Sequence, residues 1–545
     1  MLILKLSFQL FFLSYVAGFL LVPEVPNGQS TTTIQNEQKC REQISGHCYP
    51  GELCWPTLSD IVKFGDTLDG SLLLPQDELY RNLTIMKNLR VTKYPAMIAV
   101  VRSARDVQKS VQWARSRSLH LVVQSSGHDF QGRSTADGAL MIYLGNMTDI
   151  HVNINSKRSD CPYGEITLDS GVQWKKVYLE LDKVDRAMIG GSAHTVAVGG
   201  YTLGGGHSPI SRMYGLAVDN LLEVKMVTAD AMIVVANDNG TTTMNLDGTT
   251  SHSSNTDLIW ALRGGGGGTF GIVVSFKFRL HEAPKQMVKF SCNFAMYHYG
   301  TPVAGDVLGK LAGMLENMPK QWGGYFFMSI IPYQNTPNIG TISMYFNHFG
   351  DWSSPSRMYM DHLKDFKPDL QRYCFYQNAS SFWDYEKDSH DELYYRNYVV
   401  GTLLQKESLN NSALPDFLIK LITYPKQGGI TGVTGILLGG TMMNVSTTAT
   451  SVHPGFRRAL VSLAAGTSWG GDGSTDDEFS EFAIGLGQTL RTFGDGSYPN
   501  ESTGNSSTWK ADFWGSNYNR LEQIKKTWDP DNVFMCRQCV GWDRW

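Results

Sequence analysis

Apolar positions in the first third of the chain change their spacing twice, and each change predicts a different element. The run AMIAVVR, residues 96–102, is almost continuously apolar and β-branched, which indicates a buried strand. In SARDVQKSVQWARSR, which follows, Val107, Val111 and Ala114 recur at helical spacing, Ser103 can cap the start and Asp106 holds the capping-box position. HLVVQ then returns to a strand pattern. This order predicts a β–α–β unit.

The segment SSGHDFQGRS, residues 125–134, begins where the second predicted strand ends. It presents one imidazole, His128, among residues with little side-chain bulk. Ligand sites gather at the carboxyl ends of strands. The placement therefore favours a ligand loop over an exposed polar turn.

Glycine clusters interrupt the next apolar elements. GEITLDSGVQWKKVYLELD predicts a strand, a turn and a helix, and Gly264–Gly268 then stand between a short helical run and a β-branched strand. A flexible linker would join polar segments, so these glycines are expected to let the backbone approach another group closely. A Rossmann fingerprint requires strand, glycines and helix in the opposite order, which excludes that fold here.

Beyond about His281 the pattern changes to alternation. YFFMSIIPY and TISMYFNHF alternate apolar and polar positions as strands with one buried face do. NYNRLEQIKKTWDPDNVF, near the end, predicts a helix that stops at Asp529-Pro530. We expect a first domain over residues 23–282, with its core at about 92–282, a second over 283–496, and a C-terminal segment over 497–545.

Composition and motifs exclude several classes of function. A chain of 545 residues with 55 glycines and a net charge of −4 suits several packed domains, and gives no reason to expect a nucleic acid partner. No HExxH, Walker A or EF-hand pattern occurs, so no metal site is predicted. GTSWG, residues 466–470, matches a nucleophile elbow formally, but no histidine follows His453 as that triad requires. We expect a loop there, before a helix from about Thr475.

The N-terminus and the cysteines indicate export. MLILKLSFQLFFLSYVAGFLLV predicts a signal peptide over residues 1–22, with cleavage after a small residue such as Gly18; a signal anchor is the alternative. Eight cysteines fit an oxidising compartment, and the Cys536/Cys539 pair is expected to be a disulfide and not a zinc site. Glycosylation sequons begin at Asn82, Asn146, Asn239, Asn378, Asn410, Asn444, Asn500 and Asn505. These features predict a secreted glycoprotein.

SSGHDFQGRS resembles the histidine-bearing loop of the FAD-linked oxidases related to vanillyl-alcohol oxidase and berberine bridge enzyme. VGGYTLGGGHS, YGLAVDN, WALRGGGGGTFGIV, HPGFRRAL and NYNRLEQIKKTWDPDNVF match motifs of this family in the same order. The resemblance implies an α+β fold: a two-part FAD-binding domain of the PCMH type, completed by the C-terminal tail, with an inserted α+β substrate domain built on an antiparallel sheet.

The resemblance also implies a cofactor site for FAD. His128 matches the histidine that is bonded to the flavin 8-methyl carbon, and Ala193 stands where many relatives carry a second, cysteine link, so one covalent bond is expected. Val196 matches a position associated with oxygen access, where valine is typical of oxidases. The other residues implied to bind the cofactor are Ser125, Ser126, Gly127, Asp129, Gly132, Arg133, Ser134, Val198, Gly199, Gly200, Gly204, Gly205, Gly206, His207, Asn220, Gly268, Gly271, Ile272, Val273 and Asn517.

Two positions bear on the catalytic base. In our alignment, Thr447 occupies the position of the glutamate base of berberine bridge enzyme, so alkaloid ring closure is not expected. Glu501 matches the point where other relatives carry a tyrosine base, with Tyr498 as the second candidate; an exposed loop acid is the alternative for Glu501. A glycan on Asn500 would argue against a buried site. Tyr345, Tyr398 and Tyr498 are candidates to contact the substrate.

The resemblance implies a secreted oxidase. It would move a hydride from an alcohol or carbohydrate C–OH to covalently bound FAD and then reduce O₂ to H₂O₂, as a monomer without a membrane or nucleic acid partner. A dehydrogenase with another electron acceptor and a non-catalytic binding protein with the same fold are the alternatives.

Overall fold

The computed structural model describes residues 46–544, apart from 246, 299, 332–338, 389–393, 424 and 503–506. The predicted signal peptide, its cleavage point at Gly18, Cys40 and Asn505 lie outside the described residues. No helix among the described residues is long and apolar enough to cross a membrane.

Four short strands near the N-terminus form a sheet in the order β1-β2-β4-β3. They are β1 (Ser71–Leu73), β2 (Met97–Val100), β3 (Leu121–Gln124) and β4 (Leu140–Tyr143). β2 and β3 each pair in parallel with β4, and the helix Ala104–Arg115 joins β2 to β3. The predicted β–α–β unit is therefore confirmed, with β4 between its two strands. Residues 125–134 form the connection that leaves the carboxyl end of β3 toward β4.

The cap of this helix differs from the expected capping box in one bond. The Ser103 hydroxyl accepts the Asp106 backbone N–H at 3.2 Å, as predicted, and the three apolar positions of the helix face are fully buried. The Asp106 carboxylate does not accept the Ser103 backbone N–H, as a capping box would require. It accepts backbone N–H groups of Asp69 at 2.8 Å and Arg102 at 3.1 Å, because the chain entering β1 lies against this buried carboxyl group.

A seven-stranded antiparallel sheet follows, in the order β11-β10-β9-β8-β12-β6-β5, with β7 and β13 paired beside it. Its strands and this pair are β5 (Ile150–Asn153), β6 (Glu165–Asp169), β7 (Arg186–Ala187), β8 (Leu221–Val227), β9 (Ile233–Asn237), β10 (Gly240–Met244), β11 (Thr250–Ser253), β12 (Ile272–Arg279) and β13 (His281–Glu282). Alternate residues of β6 and β12, such as Leu168 and Phe276, are fully buried in the core beneath the sheet.

The second half of the chain builds another seven-stranded antiparallel sheet, in the order β19-β14-β18-β17-β21-β22-β20. Its strands, with the small hairpin β15–β16, are β14 (Met287–Ala295), β15 (Tyr297–His298), β16 (Thr301–Pro302), β17 (Trp322–Ile331), β18 (Ile339–Phe349), β19 (Gln371–Ala379), β20 (Arg396–Leu404), β21 (Gly429–Leu437) and β22 (Val461–Trp469). We call this sheet the substrate sheet. Together with the first two sheets it confirms the predicted α+β class.

Helices occur before, between and after the strands in the described part of the chain. They are Leu58–Gly65, Glu78–Thr84, Ala104–Arg115, Trp174–Asp182, Val198–Leu203, Ser211–Tyr214, Asp257–Leu262, Ala304–Leu315, Ser354–Lys364, Phe382–Glu386, Lys406–Leu409, Ala413–Thr423, Asp476–Arg491, Trp509–Trp514 and Tyr518–Trp528. GTSWG was predicted to be a loop and is instead the end of β22, because its residues pair with β20 and β21. The helix expected after it begins at Asp476, with Thr475 at its N-cap.

The C-terminal tail packs back onto the first half of the chain. The helix Tyr518–Trp528 ends before Asp529-Pro530, as predicted, and its apolar residues join the same core as β6, β8 and β12. The Trp514 indole N–H donates to the Gly264 carbonyl at 3.0 Å, and Phe534 forms a parallel bridge with Leu121 of β3. Residues far apart in the sequence thus complete one folded half.

Three disulfides join described cysteines: Cys48–Cys54, Cys292–Cys374 and Cys536–Cys539. The last of these confirms the expectation for the CxxC pair. Cys161 is buried and forms no disulfide with any described residue.

Candidate active site

A cavity of about 1540 Å³ lies between the glycine-rich first half and the substrate sheet. Sites for one small ligand usually measure roughly 300–1,000 Å³, so this cavity has room for two molecules. Of the residues predicted to bind the cofactor, those that line it are Ser125, Ser126, Gly127, His128, Asp129, Arg133, Ser134, Val196, Gly199, Gly200, His207, Gly268, Gly271, Ile272 and Val273.

Asp129 organises the loop of residues 125–134 from within. Its Oδ1 accepts the backbone N–H groups of Gln131 at 2.9 Å and Arg133 at 2.8 Å. Its Oδ2 forms an ion pair with the Arg133 guanidinium at 2.7 Å, and both side chains are largely buried. Gly127 (φ +72°) and Gly132 (φ +77°) supply the left-handed backbone at the two ends of this turn. The aspartate next to His128 therefore fixes the loop's shape.

The loop is also tied to two distant segments. Arg133 donates to the Pro499 carbonyl at 3.0 Å, and the Gln131 amide donates to the Ser502 carbonyl. On the other side the Arg90 guanidinium donates both to Phe130 within the loop and, at 2.9 Å, to the Asn397 carbonyl of β20. These bonds hold the loop against the C-terminal segment and the substrate sheet at once.

The backbone of the loop fits an anionic group. Among the described residues, the N–H groups of Ser125, Ser126 and Gly127 donate to no protein acceptor, and the buried Ser134 hydroxyl has no partner. Successive amides of this kind form a concave anion site, as a cofactor pyrophosphate requires. Gly200 and Gly268 have open space where a side chain would begin. The residues present therefore fit FAD.

The His128 imidazole is held on one side by Thr195. Its Nε2 and the Thr195 hydroxyl oxygen are 2.8 Å apart. Ala193, two residues before Thr195, lines the cavity together with His128. The position that carries a cysteine in many relatives thus lies in the cavity wall without a thiol.

Glu501, Tyr498 and His207 form the acid–base cluster of the cavity. Glu501 is partly exposed to the cavity, and its Oε2 lies 3.1 Å from Nε2 of His207. The ring of Tyr498 packs on His207 with 4.6 Å between centroids. Glu501 thus lies in the cavity wall, with its carboxylate paired to His207 and its side chain 38% exposed.

Tyr498 is poorly suited to act as a base. It is buried, and its hydroxyl oxygen already accepts hydrogen bonds from Gly206 N–H at 3.3 Å and from the Asn500 amide at 3.1 Å. Burial and the neighbouring Glu501 carboxylate raise the pKa of Tyr498 well above its usual range. The raised pKa favours the protonated phenol, which can orient its neighbours.

Asn500 uses its side-chain amide inside the protein. The Nδ2 group donates to the Gly200 carbonyl at 3.0 Å as well as to Tyr498. A glycan leaves one N–H on this nitrogen, so it would displace at least one of these bonds. In this conformation the amide hydrogens are engaged within the protein.

One face of the substrate sheet forms the opposite wall. Because side chains alternate along a strand, every second residue of neighbouring strands reaches the cavity. These residues are Lys289, Ser291, Tyr325, Phe327, Ser329, Tyr345, Asn347, Gln377, Asn397, Val399, Ile430, Gly432, Thr434, Ile436, Ser462, Ala464, Gly466 and Ser468. The wall combines aromatic rings with hydroxyl and amide groups and a stretch of small residues. Tyr325 also reaches across to the first half, where its hydroxyl lies 3.1 Å from that of Ser192.

Two parts of the chain match known domain families. Residues 95–237 match the FAD binding domain, and residues 497–541 match the domain described as berberine and berberine like. These are domains of FAD-linked oxidoreductases, and the chain is similar to the vanillyl-alcohol oxidase and berberine bridge enzyme-like family.

Members of this family cover almost all of the chain. The VAO-type flavoprotein oxidase VAO615 of Thermothelomyces thermophilus is 26% identical over 587 aligned positions, covering 94% of this chain and 95% of that protein. The solved structure of MtVAO615 from Myceliophthora thermophila has a TM-score of 0.78 at 23% identity, covering 92% and 98%. The glucooligosaccharide oxidase of Acremonium strictum, described with 6-S-cysteinyl and 8α-N1-histidyl FAD, has a TM-score of 0.72 at 22% identity, covering 88% and 98%.

Several residues expected at the cofactor do not line the cavity: Gly132, Val198, Gly204, Gly205, Gly206, Asn220 and Asn517. Val198 is fully buried in the core. The Asn220 amide donates to backbone carbonyls of Tyr214 and Leu216, and the Asn517 amide to that of Val452, each at 2.9 Å. The two asparagine amides bond within the protein, so we place these residues behind the walls of the cavity.

Two further residues named from the sequence do not line the cavity, for geometric reasons. Tyr398 does not face the cavity, since its neighbours Asn397 and Val399 do and adjacent residues of a strand point to opposite faces. Its ring is buried, with the Arg90 guanidinium 4.7 Å from its centroid. Thr447 also lies outside the cavity, because the chain leaves the substrate sheet at Leu437 and turns away before reaching it.

The sequence argument missed Ser192, Thr195, Tyr201 and Tyr325. Tyr201 stands between two recognised glycine clusters, and its hydroxyl donates to the His207 carbonyl at 2.8 Å. Tyr325 belongs to YFFMSIIPY, whose alternation was noted. Assigning Phe326 and Met328 to the buried face would have placed Tyr325 and Phe327 on the cavity side.

Proposed function

We propose that this chain is an oxidase that oxidises a carbohydrate C–OH, or a related alcohol, and reduces O₂ to H₂O₂. FAD bound in the cavity would accept the hydride from the substrate carbon and pass two electrons to oxygen. The observation that carries the proposal is the single cavity in which His128, Val196 and Glu501 face the polar and aromatic wall of the substrate sheet.

Glu501 is the proposed general base. Its carboxylate reaches the cavity and lies within hydrogen-bond distance of His207, whereas burial raises the pKa of Tyr498 above its usual range. Loss of a positioned base lowers the rate by roughly 10²- to 10⁴-fold. Glu501→Gln should slow flavin reduction by that factor and keep the yellow colour. Reduction at the parent rate would remove Glu501 from this role.

His128 is the proposed site of a single covalent flavin link. Acid-precipitated protein should stay yellow, His128→Ala should release its flavin, and peptide mass spectra should contain a histidyl adduct without a cysteinyl one. A flavin peptide that lacks His128 would contradict the assignment. Protein purified without any flavin would instead favour the non-catalytic alternative.

Val196 supports oxidase over dehydrogenase chemistry. Its small side chain lines the cavity, where a larger one would narrow the path of oxygen. Stopped-flow mixing of reduced protein with air should give rapid reoxidation, and Val196→Leu should slow this step more than it slows flavin reduction. Very slow reoxidation of the parent protein would favour a dehydrogenase that uses another acceptor.

Carbohydrate is the first substrate class to test. Aromatic rings beside hydroxyl and amide groups suit the alternating apolar and polar faces of sugars, and Lys289 is neutralised by Asp388 at 3.6 Å. A structural neighbour is a glucooligosaccharide oxidase. Peroxide release should be screened against neutral mono- and oligosaccharides, with aromatic and aliphatic alcohols as the comparison.

We further propose that the protein is exported and monomeric. The predicted signal peptide and the three disulfides support export. Expression in a secreting eukaryotic host should deliver the protein to the medium with residues 1–22 removed. Mass spectrometry after deglycosylation should find Asn500 unmodified, and light scattering should give the mass of one chain.

A further inference from the structure

We propose that His207 is a positioning residue that orients the Glu501 carboxylate for proton abstraction. This inference rests on the proposed role of Glu501. The two side chains come from segments 294 residues apart, and Nε2 of His207 lies 3.1 Å from Oε2 of Glu501. The family resemblance placed His207 with the cofactor ligands, whereas the geometry pairs it with the base.

The hydrogen-bonding state of His207 identifies it as a donor. A carboxylate only accepts, so the proton of this contact resides on Nε2 when Glu501 is ionised. Nδ1 of His207 is buried and has no partner among the described residues. A hydrogen on Nδ1 would be buried without an acceptor, so the geometry places the hydrogen of this contact on Nε2.

The surroundings of His207 leave the ring little freedom. Tyr201 donates to its backbone carbonyl at 2.8 Å, and Tyr498 packs against its ring. The preceding Gly206 has φ +70°, and a Cβ atom there would lie 2.5 Å from the Tyr201 ring. The GGG sequence before His207 thus brings the backbone close to Tyr201 and aims the imidazole at Glu501.

The two carboxylate oxygens of Glu501 have different roles. Oε2 is held by His207, while Oε1 accepts no hydrogen bond from a described residue and is left for the substrate hydroxyl. When the substrate O–H bond breaks, the proton passes to Oε1 and the carbon gives its hydride, with two electrons, to the oxidant. His207 retains its own proton throughout, so it acts through Glu501 and not on the substrate.

The test compares His207→Gln, which keeps an N–H donor of similar reach, with His207→Leu, which removes it. His281→Gln serves as the matched control, because His281 is a half-buried histidine that does not line the cavity. One charge-assisted hydrogen bond corresponds to roughly 10- to 100-fold in rate. His207→Leu should slow flavin reduction by that factor and move the acidic limb of its pH profile to higher pH. His207→Gln should recover most of the rate.

Two measurements separate this proposal from a general loss of structure. The double variant His207→Leu/Glu501→Gln should be no slower than Glu501→Gln, since residues that act as one unit do not add. In substrate-free protein with ring-labelled histidine, the NMR signal that disappears in His207→Gln should shift when Glu501 is replaced by Gln.

The outcomes also separate this proposal from the proposed base. If Glu501→Gln is slow but His207→Leu reacts at the parent rate with an unmoved pH profile, the positioning role is refuted and the base stands. If Glu501→Gln reacts at the parent rate, the proposed base is refuted. An unmoved His207 signal in Glu501→Gln would show that the two side chains do not interact.

Discussion

Lys525 and Lys526 are neighbours in the C-terminal helix, yet their ammonium groups occupy opposite environments. Lys525 pairs with Asp529 at 2.5 Å, and the two side chains are 1% and 0% exposed. It also donates to the carbonyls of Thr269 at 2.7 Å and Phe534 at 2.6 Å. Lys526 pairs with Glu522 at 3.1 Å, and these side chains are 52% and 25% exposed. Replacing each in turn by methionine isolates the effect of burial.

The expected magnitudes differ by several-fold. Lys525→Met keeps the length of the side chain but removes the cation that pairs with Asp529 and the donor to two carbonyls, and the buried carboxylate keeps the backbone N–H groups of Val533 and Phe534 as donors. Breaking a buried pair in this way destabilises by about 3–5 kcal/mol. Lys526→Met removes an exposed pair one helical turn apart, worth about 0.5 kcal/mol or less. For a flavin-binding half of roughly 300 residues, an unfolding entropy near 2.1 cal/mol/K per residue converts the larger value to a fall in Tm of about 5–8 °C.

The assay is thermal unfolding at one fixed scan rate, followed by flavin fluorescence and far-ultraviolet circular dichroism. Lys525→Met should lower the flavin transition by that amount, while Lys526→Met should leave it within about 1 °C. The double variant Lys525→Met/Asp529→Asn should recover part of the loss, because the unpaired buried charge is gone. Equal shifts for the two lysine variants would refute the reasoning.

Three further predictions follow from other contacts. Asp129→Asn removes the carboxylate that organises the 125–134 loop, so the covalent flavin content should fall. The control Asp160→Asn, at an exposed ion pair with Arg158, should retain full flavin incorporation. Equal flavin content in the two variants would contradict the role of Asp129. Ala193→Cys places a thiol in the cavity wall, and peptide mass spectra should reveal a cysteinyl flavin beside the histidyl one; a free thiol in flavin-loaded protein would count against this placement. Burial lowers the pKa of His281 to about 4, so the unfolded chain binds more protons than the folded chain between pH 6.5 and 4. Stability should therefore fall as pH falls through this window. His281→Gln should reduce this decline in Tm, and an unchanged slope of Tm against pH would contradict the prediction.

The elements with a strong repeat could be predicted from the sequence. Continuous apolar runs and helical spacing are local properties, and they located β2, the helix Ala104–Arg115 and β3 before any tertiary contact was known. The error at GTSWG has the opposite origin. Glycine, serine and threonine favour turns, but here pairing with β20 and β21 on both sides outweighs that local preference.

The candidate site was predicted in part for the same reason. His128 and Glu501 could be found because each lies in a recognisable local motif. The His207–Glu501 contact could not, since it depends on how the tail folds against the glycine clusters. Tyr398 was misplaced because aromatic character does not tell which face of a strand a residue occupies; only the register does.

The bonds from Arg133 to Pro499 and from Gln131 to Ser502 span 366 and 371 residues. They impose an order on biosynthesis. A nascent chain that has emerged only as far as the substrate sheet already contains the loop of residues 125–134. It still lacks Pro499 and Ser502, whose carbonyls accept hydrogen bonds from that loop. The loop acquires these bonds only after Pro499 and Ser502 have been synthesised and have packed back. The covalent flavin proposed at His128 would therefore mark a chain whose C-terminal segment has folded against this loop.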